Sequence, residues 1–214
     1  MTELPRITFL GQSCFFIEAA DTRILLDPQN KQVGEMDGDI VYCTHSHFDH
    51  TRGAKPFLSR NSEAILLGNE QVTSGFLEFG ERVKTVTEGE TFDFKSSAFT
   101  FKRLRHGFFK GVHNLAVEVR IGGFVFAHCG DAVSFDGFPT TQVDVLAIPI
   151  SGGFAAGPKT ALEMIKNLVD PLPTVVPMHW LMRNPKSFCK NLRNIRPEVN
   201  CVVPSDGEPL KGYE

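Results

Sequence analysis

The segment Thr44-His45-Ser46-His47-Phe48-Asp49-His50 constrains this chain more than any other feature of its sequence. It follows an apolar run ending at Cys43 and sets four side chains of metal-ligand type within six residues. In extended chain, side chains two apart point the same way, so His45 and His47 converge on one point. As the chain turns, Asp49 and His50 project to the other side and reach a second point. Imidazole nitrogen suits divalent zinc, iron, nickel or copper, and a carboxylate widens the choice toward manganese.

Two ions need more ligands than these four, and later strand ends offer them. His106 ends the run Phe99 to Arg105, Asp131 follows Cys129-Gly130 just beyond Phe124 to His128, and His179 follows Thr174 to Met178. His113 competes with His106 for the third-ligand position, and the residues alone leave both open. A lone histidine at a strand end is more often a hydrogen-bonded structural residue than a ligand. Four ligand-type side chains in six residues, joined by three more at strand ends, are much harder to assemble by accident.

The rest of the chain reads as an ordinary globular protein. Its 214 residues suggest one domain over 1–214, and 42% apolar with 22% charged residues excludes disorder and coiled coil. A formal charge of -3 gives no basic field for nucleic acid or an anionic membrane. Apolar runs such as Val145 to Ile150 are too short for a membrane span, and Met1 to Arg6 lacks the features of an export leader, so a cytoplasmic protein is expected. The five cysteines (Cys14, Cys43, Cys129, Cys189 and Cys201) are scattered and odd in number, which reads as reduced, mostly buried thiols.

Strand signals fall at Ile7 to Leu10, Cys14 to Glu18, Arg23 to Asp27 and Ile40 to Thr44, then through Thr91 to Leu104, Ala116 to Ile121, Phe124 to His128, Val143 to Ile148 and Thr174 to Pro177. Three helices are signalled. Pro158 opens one carrying Ala161, Ile165 and Leu168; Asn184-Pro185 opens one carrying Phe188, Leu192 and Ile195; Asn69 caps one carrying Val72, Phe76 and Phe79. Each has a single apolar side, so the helices should lie outside the sheets, giving an α+β protein layered helix, sheet, sheet, helix.

At these residues the chain resembles the metallo-β-lactamase-fold hydrolases over nearly its whole length. Leu10-Gly11-Gln12-Ser13-Cys14-Phe15 and Leu25-Leu26-Asp27-Pro28 are similar to the family's first two hairpins, Thr44 to His50 to its signature, and Cys129-Gly130-Asp131 to the segment with the bridging aspartate. Ala147-Ile148-Pro149-Ile150-Ser151-Gly152-Gly153 and Pro177-Met178-His179-Trp180 resemble a branch that contains L-ascorbate-6-phosphate lactonase-like proteins. Ala132 stands where the family commonly has threonine. The resemblance implies an αββα four-layer sandwich and two divalent ions, zinc first, with manganese or iron as alternatives. His45, His47 and His106 would hold one ion, Asp49, His50 and His179 the other, and Asp131 would lie between.

Divalent ions lower the pKa of bound water from about 15.7 to about 7, so a hydroxide bridging two of them is the expected nucleophile. It would attack a lactone, ester or phosphate ester on a small, anionic substrate. Asp49 and Asp131 are the candidate catalytic carboxylates, Asp49 also able to pass a proton to the leaving group. Asp27 is expected to orient a ligand imidazole from behind. His113, Arg183 and Trp180 are expected to contact substrate. Lys102, Arg103, Arg105 and Lys110, with Phe108 and Phe109 interleaved, read either as an anion site or as a charged strand edge. The rival functions are a metal-dependent phosphodiesterase or nuclease and a non-hydrolytic iron redox or metal-binding protein. The expected partner is a small molecule, without membrane or nucleic acid, and homo-oligomerisation stays open.

Overall fold

The computed structural model describes residues 4–19, 21–107, 111–168, 171 and 173–214. Two six-stranded sheets dominate it. The first runs in sequence order through β1 (Arg6–Phe9), β2 (Phe15–Glu18), β3 (Arg23–Leu26), β4 (Ile40–Cys43), β5 (Ile65–Gly68) and β6 (Val83–Thr85). The second comprises β7 (Thr91–Phe94), β8 (Ser97–Arg105), β9 (His113–Ile121), β10 (Phe124–His128), β11 (Val145–Pro149) and β12 (Thr174–Met178), also in sequence order across the sheet. Hairpins make the antiparallel half of each, and crossovers make the parallel half, β3 to β6 in one and β10 to β12 in the other.

The two-residue alternation of the strands sorts side chains between layers. Ile24, Leu26, Ile40 and Tyr42 face inward and pack with Val117, Val119 and Phe126 of the second sheet. Their neighbours Leu25, Val41 and Cys43 face outward against Phe57, Leu58 and Val72. Those come from α2 (Ala54–Arg60) and α3 (Glu70–Thr73), with α1 (Phe48–Thr51) just before them. On the other side, α4 (Pro158–Lys166) and α5 (Pro185–Ile195) bury Ala161, Ile165, Phe188 and Leu192 in the core that holds the second sheet. β11 and β12 carry apolar runs because both of their faces are covered. The Tyr42 hydroxyl donates to the Leu115 carbonyl at 2.5 Å and links the sheets across the core. The expected α+β sandwich is therefore the observed one.

Two local expectations need correction, and four elements had none. Asn69 does cap a helix, accepting from the Val72 N-H at 3.2 Å, but that helix ends at Thr73. Phe76 leaves helical geometry at φ -134°, and Phe79 sits in a 3-10 turn over Leu77–Arg82, where Gly80 breaks any regular helix. Secondly, Cys189 and Cys201 form a disulfide, so not all five cysteines are free. α5 folds back onto β12, and Cys201 pairs with Val175 of that strand, bringing two cysteines 12 residues apart to a Cα separation of 5.5 Å. Cys14, Cys43 and Cys129 are free and buried, as expected. Lastly, β5, β6, α1 and α2 carried no signal that the sequence reading caught. Among the described residues no helix is long and apolar enough to cross a membrane.

Candidate metal centre

The candidate ligands lie just past the ends of four strands. His45 follows β4, His106 follows β8, Asp131 follows β10 and His179 follows β12. β4, β10 and β12 belong to parallel stretches, whose carboxyl ends open toward one crevice. After β4 the chain stays extended to His47, at φ -65° and ψ 147°, and then turns into α1. That switch of backbone geometry sends Asp49 and His50 to a different side from His45 and His47.

Two groups result, His45, His47, His106 and Asp131 in one and Asp49, His50 and His179 in the other; within each, one donor atom per residue lies within 4.8 Å of the rest. In the first, His45 Nε2 lies 3.0 Å from His47 Nδ1 and 4.0 Å from Asp131 Oδ2, and His106 Nε2 lies 3.9 Å from that same oxygen. In the second, Asp49 Oδ2 lies 3.6 Å from His179 Nε2 and 3.8 Å from His50 Nε2. Asp131 also reaches this second group, with Oδ1 3.6 Å from His50 Nε2 and Oδ2 3.3 Å from His179 Nε2. It stands between the two. His106 is in the cage; His113 is outside both groups, on β9 opposite Arg105.

A ring of buried hydrogen bonds sets the orientation of these side chains. Asp27 is fully buried and accepts from the Thr44 N-H at 2.7 Å, the Thr44 hydroxyl at 2.8 Å and His50 Nδ1 at 2.7 Å. His50 Nδ1 therefore carries a proton, and Nε2 is the ring nitrogen that faces the cage. The Thr44 hydroxyl, having given its proton to Asp27, accepts from His45 Nδ1 at 3.0 Å, which fixes the same tautomer there. Asn114 accepts from the Asp131 N-H at 2.9 Å and donates to the Cys129 carbonyl at 3.0 Å, clamping the turn that presents Asp131. Gly130 in that turn has φ +56°, and a Cβ there would overlap Asn114 and Thr44. His128 points elsewhere, donating to the Ser13 carbonyl at 2.8 Å and accepting from the Gly130 N-H at 3.1 Å.

Sequence reasoning gave no role to Gln12, Thr44 or Asn114. The carbonyl of Gln12 accepts from the His179 N-H at 2.7 Å, while its side-chain amide donates to Asp49 and lies 3.3 Å from His179 Nε2. It joins the opening hairpin to a ligand from each sheet. The available signal was its place in the Gly11-Gln12-Ser13 turn. Asp27, Gln12, His179 and Leu181 are four of the five non-glycine residues at positive φ among the described residues. Left-handed backbone in side-chain-bearing residues concentrates where a fold holds a functional arrangement against local preference.

The electrostatics favour a cation. Burial holds the imidazoles of His45, His47 and His106 below the usual histidine range, His45 far below it, so their lone pairs are free of protons near neutrality. Burial opposes ionisation of Asp131, yet His50, His179 and His45 hold its carboxyl well below the usual range. Burial likewise opposes ionisation of Asp49, but the His179 hydrogen bond and the charge of His50 bring it to about 2. His50 is pushed well above the usual range: burial works against its charge, and Asp27 and Asp131 outweigh it.

His50 Nε2, both ring nitrogens of His106, Asp131 Oδ1 and His179 Nδ1 are buried without a hydrogen-bond partner. An unpaired buried polar atom costs about 1–3 kcal/mol, and divalent-ion ligation would occupy three of these, His50 Nε2, His106 Nε2 and Asp131 Oδ1.

The remaining candidates fall around the cage. Trp180 packs against Phe9, ring centroids 5.4 Å apart, and Arg183 donates to the Ser151 carbonyl at 3.2 Å. His113 lines a cleft of about 660 Å³ with Arg103, Arg105 and His106. Lys102 is paired with Glu88 at 2.7 Å. Phe108, Phe109 and Lys110 lie outside the described residues. Cys129 is buried, which pushes its thiol up and keeps it protonated.

An αββα sandwich with imidazoles and carboxylates converging beyond its strand ends defines the metallo-β-lactamase fold class. The chain belongs to the beta-lactamase superfamily, whose domain model matches residues 6–179. It is similar to the UPF0173 protein of Pyrococcus furiosus, 26% identical over 98% of this chain and 99% of that one. It is also similar to a UPF0173 metal-dependent hydrolase of Thermococcus kodakarensis, 27% identical over 97% and 100%. Among solved structures, Igni18, a metallo hydrolase from Ignicoccus hospitalis, superposes with a TM-score of 0.84 over 97% of each chain at 19% identity.

Proposed function

We propose that this protein is a dinuclear metal-dependent hydrolase acting on a lactone, ester or phosphate ester of a small, anionic molecule. The observation that carries the reading is Asp131, a buried carboxylate within 4.0 Å of imidazole nitrogens from both ligand groups. His45, His47 and His106 would hold one ion and Asp49, His50 and His179 the other, zinc first, with manganese or iron as alternatives. Bound there, the ions supply a water acidic enough to attack at neutral pH and a Lewis acid for the oxygen that gains charge.

The chain's own residues do the rest. Asp27 and Thr44 keep His50 and His45 in the tautomers that present Nε2. Gln12 holds one oxygen of Asp49, which stays ionised and accepts a hydrogen bond from water entering the crevice. Asn114 fixes the backbone that delivers Asp131. The cleft beside His106, lined by Arg103, Arg105 and His113, supports an anionic group on the substrate. Curated relatives named as metal-dependent hydrolases, one of them spanning 97% of this chain, support the reaction class.

The test is metal quantification on the purified protein joined to a panel of lactones, esters and phosphodiesters. We expect up to two ions per chain and turnover that falls more than about a hundredfold in Asp131→Ala, beyond the 10- to 100-fold typical of losing an outer partner. Turnover unaffected by that substitution would overturn the reading.

A further inference from the structure

The crevice that opens on the cage is walled by hydrocarbon. A cleft of about 470 Å³ over the ligands is lined by Gln12, His47, Phe48, Asp49, Asp131, Phe154, His179 and Leu181. Among the described residues its polar members are cage residues or Gln12, which is bonded to the cage, and its other walls are Phe48, Phe154 and Leu181. Phe48 is 67% exposed, Leu181 57% and Phe154 45%. Seven large apolar residues are exposed among those described; these three share one cleft, and a fourth, Met182, follows Leu181 directly. Single exposed apolar residues are ordinary, whereas a cluster around a concave opening marks a binding surface. Among the described residues that line it there is no lysine or arginine, in contrast to the cleft beside His106.

Two further observations tie the hydrocarbon to the cage. Leu181 has φ +48°, a left-handed backbone that a branched side chain rarely adopts, two residues after His179 at φ +45°. That costly geometry holds Leu181 over the opening instead of in the core. Phe48 is the first residue of α1, between the ligands His47 and Asp49, and the Arg52 guanidinium braces its ring at 4.8 Å from the centroid. The Phe154 carbonyl accepts from the Gly107 N-H at 3.0 Å, so the loop bearing Phe154 is fastened to the turn after His106.

We infer that Phe48, Phe154 and Leu181 form an apolar collar that binds an alkyl or aryl arm of the substrate directly beside the bond to be cut. The inference rests on the hydrolase reading and narrows it to amphiphilic esters or lactones, with the charged group toward Arg103 and Arg105 and the hydrocarbon under the collar. A compound polar on both sides, such as an unsubstituted sugar or a nucleotide, would leave the collar exposed to water.

The test uses the purified full-length protein with its metal content measured, and butyrate, hexanoate and octanoate as probes in calorimetric titrations. The constant head group cancels, and affinity should rise roughly twofold per methylene, about half the free energy of fully burying one. Leu181→Ser and Phe48→Ser should each flatten the series, with thermal unfolding checking that both fold. Leu77→Ser, an exposed apolar residue outside this cleft, should keep it. Equal affinity for butyrate and octanoate, or a series that survives both collar substitutions, overturns the collar. So does sedimentation showing that the collar is covered by a second copy of the chain. A parallel set of phenyl esters of the same acids separates the two readings. Length-dependent binding without turnover of any ester, lactone or phosphodiester sinks the hydrolase and keeps the collar, while turnover without length dependence does the reverse.

Discussion

The two sheets furnish the centre in opposite ways. The first delivers four candidate ligand side chains from the single segment after β4, and the second delivers three from the separate ends of β8, β10 and β12. In the first sheet one buried carboxylate, Asp27, bonds both ends of the ligand segment, at Thr44 and at His50. In the second, each ligand depends on its own support: Asn114 behind Asp131, and the Gln12 carbonyl behind the His179 backbone. A clustered set is thus vulnerable at one point, whereas a distributed set fails one ligand at a time.

That contrast orders the expected losses. Asp27→Asn keeps the volume but removes the charge that faces His50, and should weaken metal binding about 10- to 100-fold in a competitive chelator titration. Asn114→Ala should release only the Asp131 turn, costing about two- to fivefold in the same titration and about 1–3 kcal/mol in denaturant unfolding, since a buried N-H is left unpaired. Equal losses in these two variants would break the comparison. Gln12→Ala, which touches one ligand from each sheet without being in either group, should lower kcat less than about tenfold and leave metal content unchanged; lost metal would move Gln12 from aligning the ligands to holding them.

Smallest of all should be Leu181→Gly. Relief of left-handed strain, worth about 1–2 kcal/mol for an L-residue, is offset by the roughly 0.5–1 kcal/mol that glycine costs through chain entropy. For a chain of this size the net shift in Tm should be upward by about 1–3 °C in a calorimetric scan. A fall in Tm would show that Leu181 is held by packing and that its backbone carries no strain worth relieving.

Much of this arrangement was legible because it is local. His45, His47, Asp49 and His50 announce themselves by spacing, and β4 before them by an unbroken apolar run. Pro158 and Asn184-Pro185 marked α4 and α5 because helix entry is encoded in one or two residues. β6 was missed because Val83–Thr85 is three residues long with two of them exposed, and it exists as a strand through pairing with β5, whereas β5 is as long as β1 to β4 and its apolar Ile65-Leu66-Leu67 run was a readable signal. The Asn69 helix was overestimated because the apolar spacing of Val72, Phe76 and Phe79 survives in a chain that kinks between them. Trp180 and Arg183 sit near His179 in sequence, yet they turn to Phe9 and to Ser151.

The sequence by itself determined the class of fold, the first ligand group's core and the list of strand ends able to complete it, since alternation and spacing are properties of neighbouring residues. Tertiary structure alone decided that His106 and not His113 joins the cage, that Asp131 touches both groups, and that Cys189 meets Cys201. It also placed Gln12 and Asn114 behind the ligands and left Phe48, Phe154 and Leu181 around the opening. These are relations between residues far apart along the chain, and their distances are set only when two sheets close on a shared core.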